Sequence, residues 1–391
     1  MKVLLTSTDN PYITKWGGKH VHLLLLERGL EELGVEVYPL YYNANSIREL
    51  AKRSMLLLFS EKRRHERKIN LIINYLMKHV PKNDFDIAHA HDVLSMLAIA
   101  KTPQKKVLTL HGYFARENIE FIRNESERSE IYPLLLEKEE EGMKNTDHVI
   151  TVDQRLKDYV ISEFNYPEKK VTVMHNAVDI DSFRPVSKEG QMKLKQEAGF
   201  SQKDFVVLVP RRLVEKNGVI YAVRAMKHLE SREVKMIIAG DGPERTKILK
   251  ETNRDHRIRF IGTISHDKIA RYYMMADALL IPSITTHGIQ EASSLAMLEG
   301  MACGKTVICS SIGGMREIIQ HMKNGVLTKE KEPTEIAKAI ETVVTNWASA
   351  NEIGNEARSY VMRRHSYVAH TKKVFNIYRK VLGQNYSISE K

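Results

Sequence analysis

Two glutamates, Glu291 and Glu299, bracket the stretch E-A-S-S-L-A-M-L-E, and G-M-A-C-G-K-T-V-I follows. The first part reads as a loop meeting a helix, with Ser293 and Ser294 placed to cap it. After the stop signal at Gly304, Thr306 to Cys309 reads as a short buried strand. A helix start beside the ends of parallel strands is an anion site, because its N–H groups and dipole favour a phosphate. A carboxylate at either end of the segment can accept hydrogen bonds from sugar hydroxyls. Phosphate and hydroxyls together point to a nucleotide sugar. The plainer alternative is an amphipathic helix with two solvated carboxylates.

The elements that must position these groups run along the whole chain. Short β-branched segments alternate with helix-length segments in two successive runs. Expected strands in the first run are 3–6, 35–40, 86–90, 107–110, 149–152 and 171–174. In the second they are 206–210, 234–239, 258–261, 278–281, 306–309 and 326–327. Helical spacing is clearest at 21–33, 134–144 and 363–382. This alternation is the signature of parallel sheets with crossover helices. The pattern breaks near Asp179 to Lys188, at D-I-D-S-F-R-P-V-S-K. The chain therefore reads as α/β, with two Rossmann-like, doubly wound domains whose strand ends meet at a shared cleft.

The Glu291–Glu299 segment and the A-C-G turn after it resemble the nucleotide-sugar site of the retaining glycosyltransferases of family 4. The resemblance extends from about residue 3 to about residue 382. In the first domain W-G-G-K-H-V-H is similar to the family's first loop and helix, where Gly17 and Gly18 let backbone approach a diphosphate or sugar. H-A-H-D at 89–92 and T-L-H-G-Y at 109–113 each follow a strand. The family places a histidine at the second, so the resemblance makes His111 the candidate there. His22, His89 and His91 are lesser candidates, with metal ligation open to them but not required.

T-V-M-H-N-A-V-D at 172–179 resembles the family's strand and turn before the interdomain linker, with Ala177 in place of glycine and Asn176 read as architectural. R-R-L-V-E-K-N-G-V at 211–219 follows the first strand of the second domain, where the family uses an arginine and a lysine to neutralise the diphosphate. Arg212 is assigned as the arginine. The family's lysine commonly lies five residues on, where Asn217 stands here, and Lys216 is the nearest candidate. G-D-G-P-E-R at 240–245 lacks the third glycine of a dinucleotide fingerprint and reads as a tight turn with Pro243 opening a helix. After Glu291 the family often has glycine, but this chain has Ala292 and Ser293.

The resemblance implies the GT-B fold. It implies an acceptor domain over residues 1–182, a donor domain over 183–365, and a C-terminal helix, 366–391, that returns to the first domain. The activity implied is retaining transfer of a sugar from a nucleoside-diphosphate sugar to a hydroxyl acceptor. His111, Arg212, Lys216 and Glu291 are the expected catalytic residues. Gly17, Gly18, Arg212, Lys216, Ala292, Ser293, Ser294, Leu295 and Glu299 are expected to hold the nucleotide sugar, with Glu299 on the ribose. There is no Asp-x-Asp after a strand and no compact carboxylate cluster, so no metal and no cofactor is expected beyond the nucleotide sugar. A UDP-sugar is favoured over a GDP-sugar. The acceptor is expected to be a lipid-linked or cell-surface glycan precursor. A soluble acceptor, or a non-catalytic sugar-nucleotide-binding relative, is the alternative.

Charge bears on the partners. The net charge is +11, and residues 46–82 hold ten Lys/Arg against three Asp/Glu, a balance of +7. That stretch reads as a solvated helix pair or as a surface for anionic lipid, with apolar runs at 55–59, 71–73 and 76–77. Nucleic acid is not expected, since no aromatic interleaving or known motif accompanies the charge. M-K-V-L-L-T reads as a strand start and not a signal peptide. A cytoplasmic protein is expected, with peripheral docking at the inner membrane face as the lipid-surface variant. Cys303 and Cys309 lie in apolar context and read as small core residues.

Overall fold

The computed structural model describes residues 1–13, 17–43, 59–82, 84–120, 122 and 124–384, without the side chain of Asp267. Trp16 of the glycine loop, residues 46–58 of the basic stretch, most of the apolar run 55–59 and the end of the chain from 385 lie outside the described residues. The chain divides into two units, Met1–His175 with His370–Lys391, and Asn176–Ala369.

In the first unit the strands are β1 Lys2–Ser7, β2 Glu36–Tyr41, β3 Ile87–Ala90, β4 Lys105–Leu110, β5 His148–Thr151 and β6 Val171–Val173. They form one sheet in the order β2-β1-β3-β4-β5-β6, with every pairing parallel. The second unit has β7 Phe205–Val209, β8 Val234–Ala239, β9 Ile258–Gly262, β10 Ala278–Ile281, β11 Thr306–Ser310 and β12 Val326–Thr328. Their order is β12-β11-β10-β7-β8-β9, again parallel throughout. All twelve expected strands are present.

The central strands of each sheet are buried on both faces and read as continuous apolar runs, while the edge strands β2 and β9 are partly exposed. Side chains alternate between faces at period two. Val206 and Leu208 join one core with Leu279, Ile281, Val307 and Cys309, while Val207 and Val209 join the other with Met236, Ile238, Leu280 and Ile308. Both cysteines are buried free thiols, and burial foremost pushes each up to about 12.

Three boundaries differ from the sequence expectation. The helix expected over 134–144 begins at Glu125 and carries Pro133 within it. Asn124 caps it, its side chain accepting from Ser126 N and Glu127 N. Second, the expected helix 363–382 is broken after Arg364: Arg363 and Arg364 end the helix Trp347–Arg364, and the C-terminal helix runs Tyr367–Val381. The break is set by backbone pairing, since Val178 N donates to His365 O (2.9 Å) and Tyr367 N to Val178 O (3.1 Å). Third, the division falls after His175 and not after 182, because Val178 and Phe183 are buried in the second unit's core. From His370 the chain rejoins the first unit, where Val374, Ile377 and Tyr378 share a core with Val3, Leu5, Ile87 and Val107. Their spacing at i, i+3 and i+4 puts them on one helical stripe.

Candidate functional site

A doubly wound sheet binds ligands beyond its strand carboxyl ends, where the strand order reverses. In the second sheet that point lies between β7 and β10, which pair directly. The loop after β7 brings Arg211, and the loop after β10 brings Ser283 and Glu291.

Arg211 is buried, and its guanidinium donates to Glu291 Oε2 (2.8 Å), Ser283 Oγ (2.9 Å), Ser294 Oγ (3.1 Å) and Asn217 Oδ1. Burial opposes ionisation of Glu291. The charge and hydrogen bond of Arg211 overcome it, helped by Lys216 and the Ser283 hydroxyl, and hold the carboxyl below its ordinary range. Arg212 is exposed, and its backbone carbonyl accepts from Asn217 Nδ2 (2.7 Å). Neighbouring residues leaving a strand face opposite sides, and it is Arg211, not the Arg212 expected from the sequence, that turns inward to Glu291. Counted from Arg211, Lys216 lies five residues on, so the apparent shift of the lysine disappears. Asn217 is buried and holds Arg211, while Lys216 is exposed and close enough to act on the Glu291 charge.

Ser294 is the N-cap residue of the helix Leu295–Ala302, but its side chain makes no capping hydrogen bond. The expected capping hydroxyls are engaged elsewhere. Ser294 Oγ accepts from Arg211, and Ser293 Oγ accepts from Asn176 N (2.9 Å). Asn176 Nδ2 also donates to Ser293 O (3.0 Å), so the residue that opens the second unit fixes the loop before the helix. From the other side Gly314 N donates to Glu291 O (3.2 Å). A Cβ at Gly314 would lie 2.8 Å from Ala292 C and 2.9 Å from Ser293 N, so only glycine admits this approach. Ala292 and Leu295 are half-buried at this turn. The result is an uncapped helix start, a buried arginine and an ionised glutamate at one strand switch point.

Glu299 lies one helical turn further in and is buried. Its Oε2 accepts from Tyr273 OH (2.6 Å), and its Oε1 lies 2.9 Å from His266 Nε2. Tyr273 is fully buried, while His266 is 40% exposed. Each carboxylate oxygen retains a further lone pair for a ligand hydroxyl. Neither Tyr273 nor His266 was marked by the sequence pattern. Both lie on the helix His266–Met275, whose spacing gives no cue to a partner distant in sequence.

In the first sheet the order reverses between β1 and β3. Gly17 and Gly18 are exposed and open the helix Gly18–Glu32, with Gly17 at φ 111°, a conformation that L side chains rarely adopt. The next residue, Lys19, was not singled out from sequence. Its ammonium is paired with Asp92 Oδ2 (2.7 Å) and Asp9 Oδ2 (2.9 Å). Asp92 in turn caps the helix Val93–Ile99 through Ser95 N (2.9 Å) and accepts from Thr8 N (2.8 Å). One carboxylate thus ties the loops after β1 and β3 to the start of the first helix.

His111, just after β4, is half-buried. Its Nε2 lies 3.3 Å from His91 Nδ1, and its ring centre lies 4.8 Å from that of His22. Burial foremost, then the neighbouring His22 and Lys19, lowers its pKa well below the ordinary range, so the ring is neutral at pH 7. His89 is buried between Tyr378 OH (2.6 Å) and Thr109 Oγ1 (2.7 Å), which makes it a structural residue. Beside these groups is a cavity of about 580 Å³, lined among others by Lys19, His65, Lys68, His91, Asp92 and His111.

The basic helix Glu61–His79 buries Ile69, Ile72 and Leu76 and leaves Lys62, Arg63, Arg67 and Lys68 exposed. No helix among the described residues is long and apolar enough to cross a membrane.

Residues 16–182 match the family described as Glycosyltransferase Family 4, and residues 191–360 match Glycosyl transferases group 1. An uncharacterised glycosyltransferase of Methanocaldococcus jannaschii is 33% identical over 236 residues, 59% of either protein. The chain spans about three fifths of the length of the curated relatives it matches. Among solved structures, sucrose-phosphate synthase from Thermosynechococcus elongatus superposes with a TM-score of 0.79 at 18% identity, covering 98% of this chain and 100% of that one. Anabaena HepE in complex with UDP and glucose superposes with a TM-score of 0.70 at 19% identity, covering 97% and 100%. At these identities the likeness is one of fold, and the fold is the GT-B arrangement of two Rossmann-like sheets.

Proposed function

Because the chain belongs to the group 1, family 4 glycosyltransferases, we propose that it moves a sugar from a nucleoside-diphosphate sugar to a hydroxyl acceptor. The observation that carries this reading is the buried Arg211–Glu291 pair beside the uncapped start of Leu295–Ala302, at the switch point of the second sheet.

In this reading the diphosphate meets three positive features at once: the Arg211 guanidinium, the Lys216 ammonium and the backbone N–H groups that open the helix. Negative charge grows on the phosphate oxygen as the glycosyl bond breaks. Donors already aimed at that oxygen lower the barrier without reorganising. Glu291, kept ionised by Arg211, orients the donor sugar through its hydroxyls, and Glu299 accepts from the ribose. Arg212 has no part in this scheme. Because these cations do the neutralising, transfer is independent of added metal. Retention follows from a same-face displacement in which the departing phosphate takes the acceptor proton.

The acceptor side belongs to the first unit. His111 is neutral, so it can accept or donate one hydrogen bond to a sugar hydroxyl without adding charge. Gly17 and Gly18 offer backbone N–H groups at an uncapped helix start. UDP is the favoured nucleotide, in line with the UDP held by HepE. The exposed Lys62, Arg63, Arg67 and Lys68 suit reversible docking on anionic lipid, and hence a lipid-carried acceptor. The test is turnover of a nucleotide-sugar panel in EDTA, followed by release of the nucleoside diphosphate. Release from a UDP-sugar with the anomeric configuration kept in the product is expected. Strict dependence on an added divalent ion, or an inverted product, would overturn the mechanism.

A further inference from the structure

Three histidines from three different elements converge in the first unit. His22 comes from the helix Gly18–Glu32, His91 follows β3, and His111 follows β4. One ligating nitrogen from each lies within 4.8 Å of the other two. We propose that His22, His91 and His111 bind a divalent transition-metal ion of the zinc type, and that the ion inhibits transfer by occupying His111.

The distances suit such an ion. Two Zn–N bonds of about 2.0–2.1 Å at a tetrahedral angle separate their nitrogens by about 3.3 Å. His91 Nδ1 and His111 Nε2 are 3.3 Å apart. The His22 ring lies 5.3 Å from His91 and 4.8 Å from His111 between centres, so a small rotation of one side chain closes the set. The frame is firm: His91 N donates to Thr6 O (2.9 Å), and His370 packs edge-on against His22 at 5.0 Å.

The chemistry also suits it. Ligation uses an imidazole ring nitrogen, and His91 Nδ1 and His111 Nε2 already face each other. Three imidazoles select zinc, copper or nickel over magnesium or manganese. Lys19, which lines the same cavity as His91 and His111, is already paired with Asp9 and Asp92. His89 packs 4.2 Å from His91, but both its nitrogens are engaged, so it stays outside the set. His91 and His111 line the 580 Å³ cavity, so a fourth ligand such as water has room there.

The inhibitory half rests on the reading of His111 as part of the reaction site, and the binding half does not. The full chain, stripped with EDTA and dialysed, is titrated with Co2+, whose visible absorption reports four-coordinate nitrogen ligation. A saturable band, bleached by Zn2+ and untouched by Mg2+, is expected. His22→Gln and His91→Gln should each weaken Co2+ binding at least ~10-fold, with an unchanged circular dichroism spectrum. The exposed His79→Gln should leave binding as it was. Should a buried variant fail to fold, His111→Gln, at a half-buried position, gives the same readout. In the transfer assay Zn2+ should suppress turnover of the parent, while His22→Gln turns over and loses the sensitivity. No visible band, or binding unchanged in the folded histidine variants, overturns the site. Binding without Zn2+ inhibition overturns the inhibitory role alone. Co2+ binding by a chain that turns over no donor supports the site and counts against the transferase reading.

Discussion

Replacing Arg211 by alanine should damage the second unit twice, once in stability and once in turnover. Arg211 donates to four side chains and is 9% exposed, and its partner Glu291 is 19% exposed on the side-chain scale. Removing one member of a buried ion pair costs about 3–5 kcal/mol, because the other charge is left uncompensated. Glu291 retains some solvent contact, which places the expected loss at the lower end, about 3 kcal/mol. The folded-state pKa of Glu291 is lowered, so its contribution is present above the unfolded carboxylate range and is lost as pH falls through the folded value. In Arg211→Ala only Lys216 and the Ser283 hydroxyl remain to oppose burial of the carboxylate, so the variant should be destabilised most at neutral pH. Turnover of a nucleotide sugar should fall by ~100-fold or more, as when a donor aimed at a developing anion is removed. Arg211→Lys keeps the charge but cannot satisfy four acceptors, so it should recover turnover only in part. Arg212→Ala should change stability by less than about 0.5 kcal/mol, the usual range for an exposed position. Urea unfolding and nucleotide release measure both quantities. A severe loss in Arg212→Ala beside a mild one in Arg211→Ala would refute the reasoning.

Further expectations concern three other positions. Glu299→Gln keeps the volume but removes the carboxylate, so nucleotide affinity should fall by about 1–3 kcal/mol in a calorimetric titration. Unchanged affinity in the folded variant would remove Glu299 from the ribose. Glu139 is buried against Ala115 N (3.1 Å) and Tyr159 OH (3.0 Å), and burial pushes its carboxyl from 4.5 to about 7. A raised folded pKa means the folded state holds the proton longer, so stability should decline as pH rises from about 4.5 to about 7 and then level off. Glu139→Gln should flatten that decline in pH-dependent urea melts, and an equal slope in the variant would clear Glu139 of the effect. Reversing charge at Lys62, Arg63 and Lys68 should abolish salt-sensitive co-sedimentation with anionic vesicles, each residue contributing about 1 kcal/mol. A parent chain that ignores anionic vesicles at low salt would make a soluble acceptor the better reading.

The central strands were legible because both faces of each sheet are buried there, so each is a short apolar run between helices. Where tertiary pairing overrides local pattern, the reading failed. Pro133 looks like a helix breaker, yet the helix Glu125–Lys144 runs through it. The 363–382 segment has continuous helical spacing, and only the pairing of Val178 with His365 and Tyr367 reveals the break. Ser293 and Ser294 look like caps, and the structure gives their hydroxyls to Asn176 and Arg211. Two adjacent arginines cannot be told apart by composition, and only the folded backbone turns Arg211 toward Glu291. The histidines were visible singly in H-V-H, H-A-H-D and T-L-H-G, but their convergence depends on the strand order β1-β3-β4.

The central claim is that the second unit holds the diphosphate of a nucleotide. Calorimetric titration of the metal-stripped chain with UDP, GDP, ADP and their parent nucleosides tests it most directly. One nucleoside diphosphate, UDP by this account, should bind saturably. Its nucleoside should bind at least ~10-fold more weakly, a loss of about 1.4 kcal/mol, because Arg211, Lys216 and the helix start at Leu295 then have no phosphate to meet. Equal binding of nucleoside and diphosphate, or no binding of any of the three diphosphates to the folded chain, would contradict it.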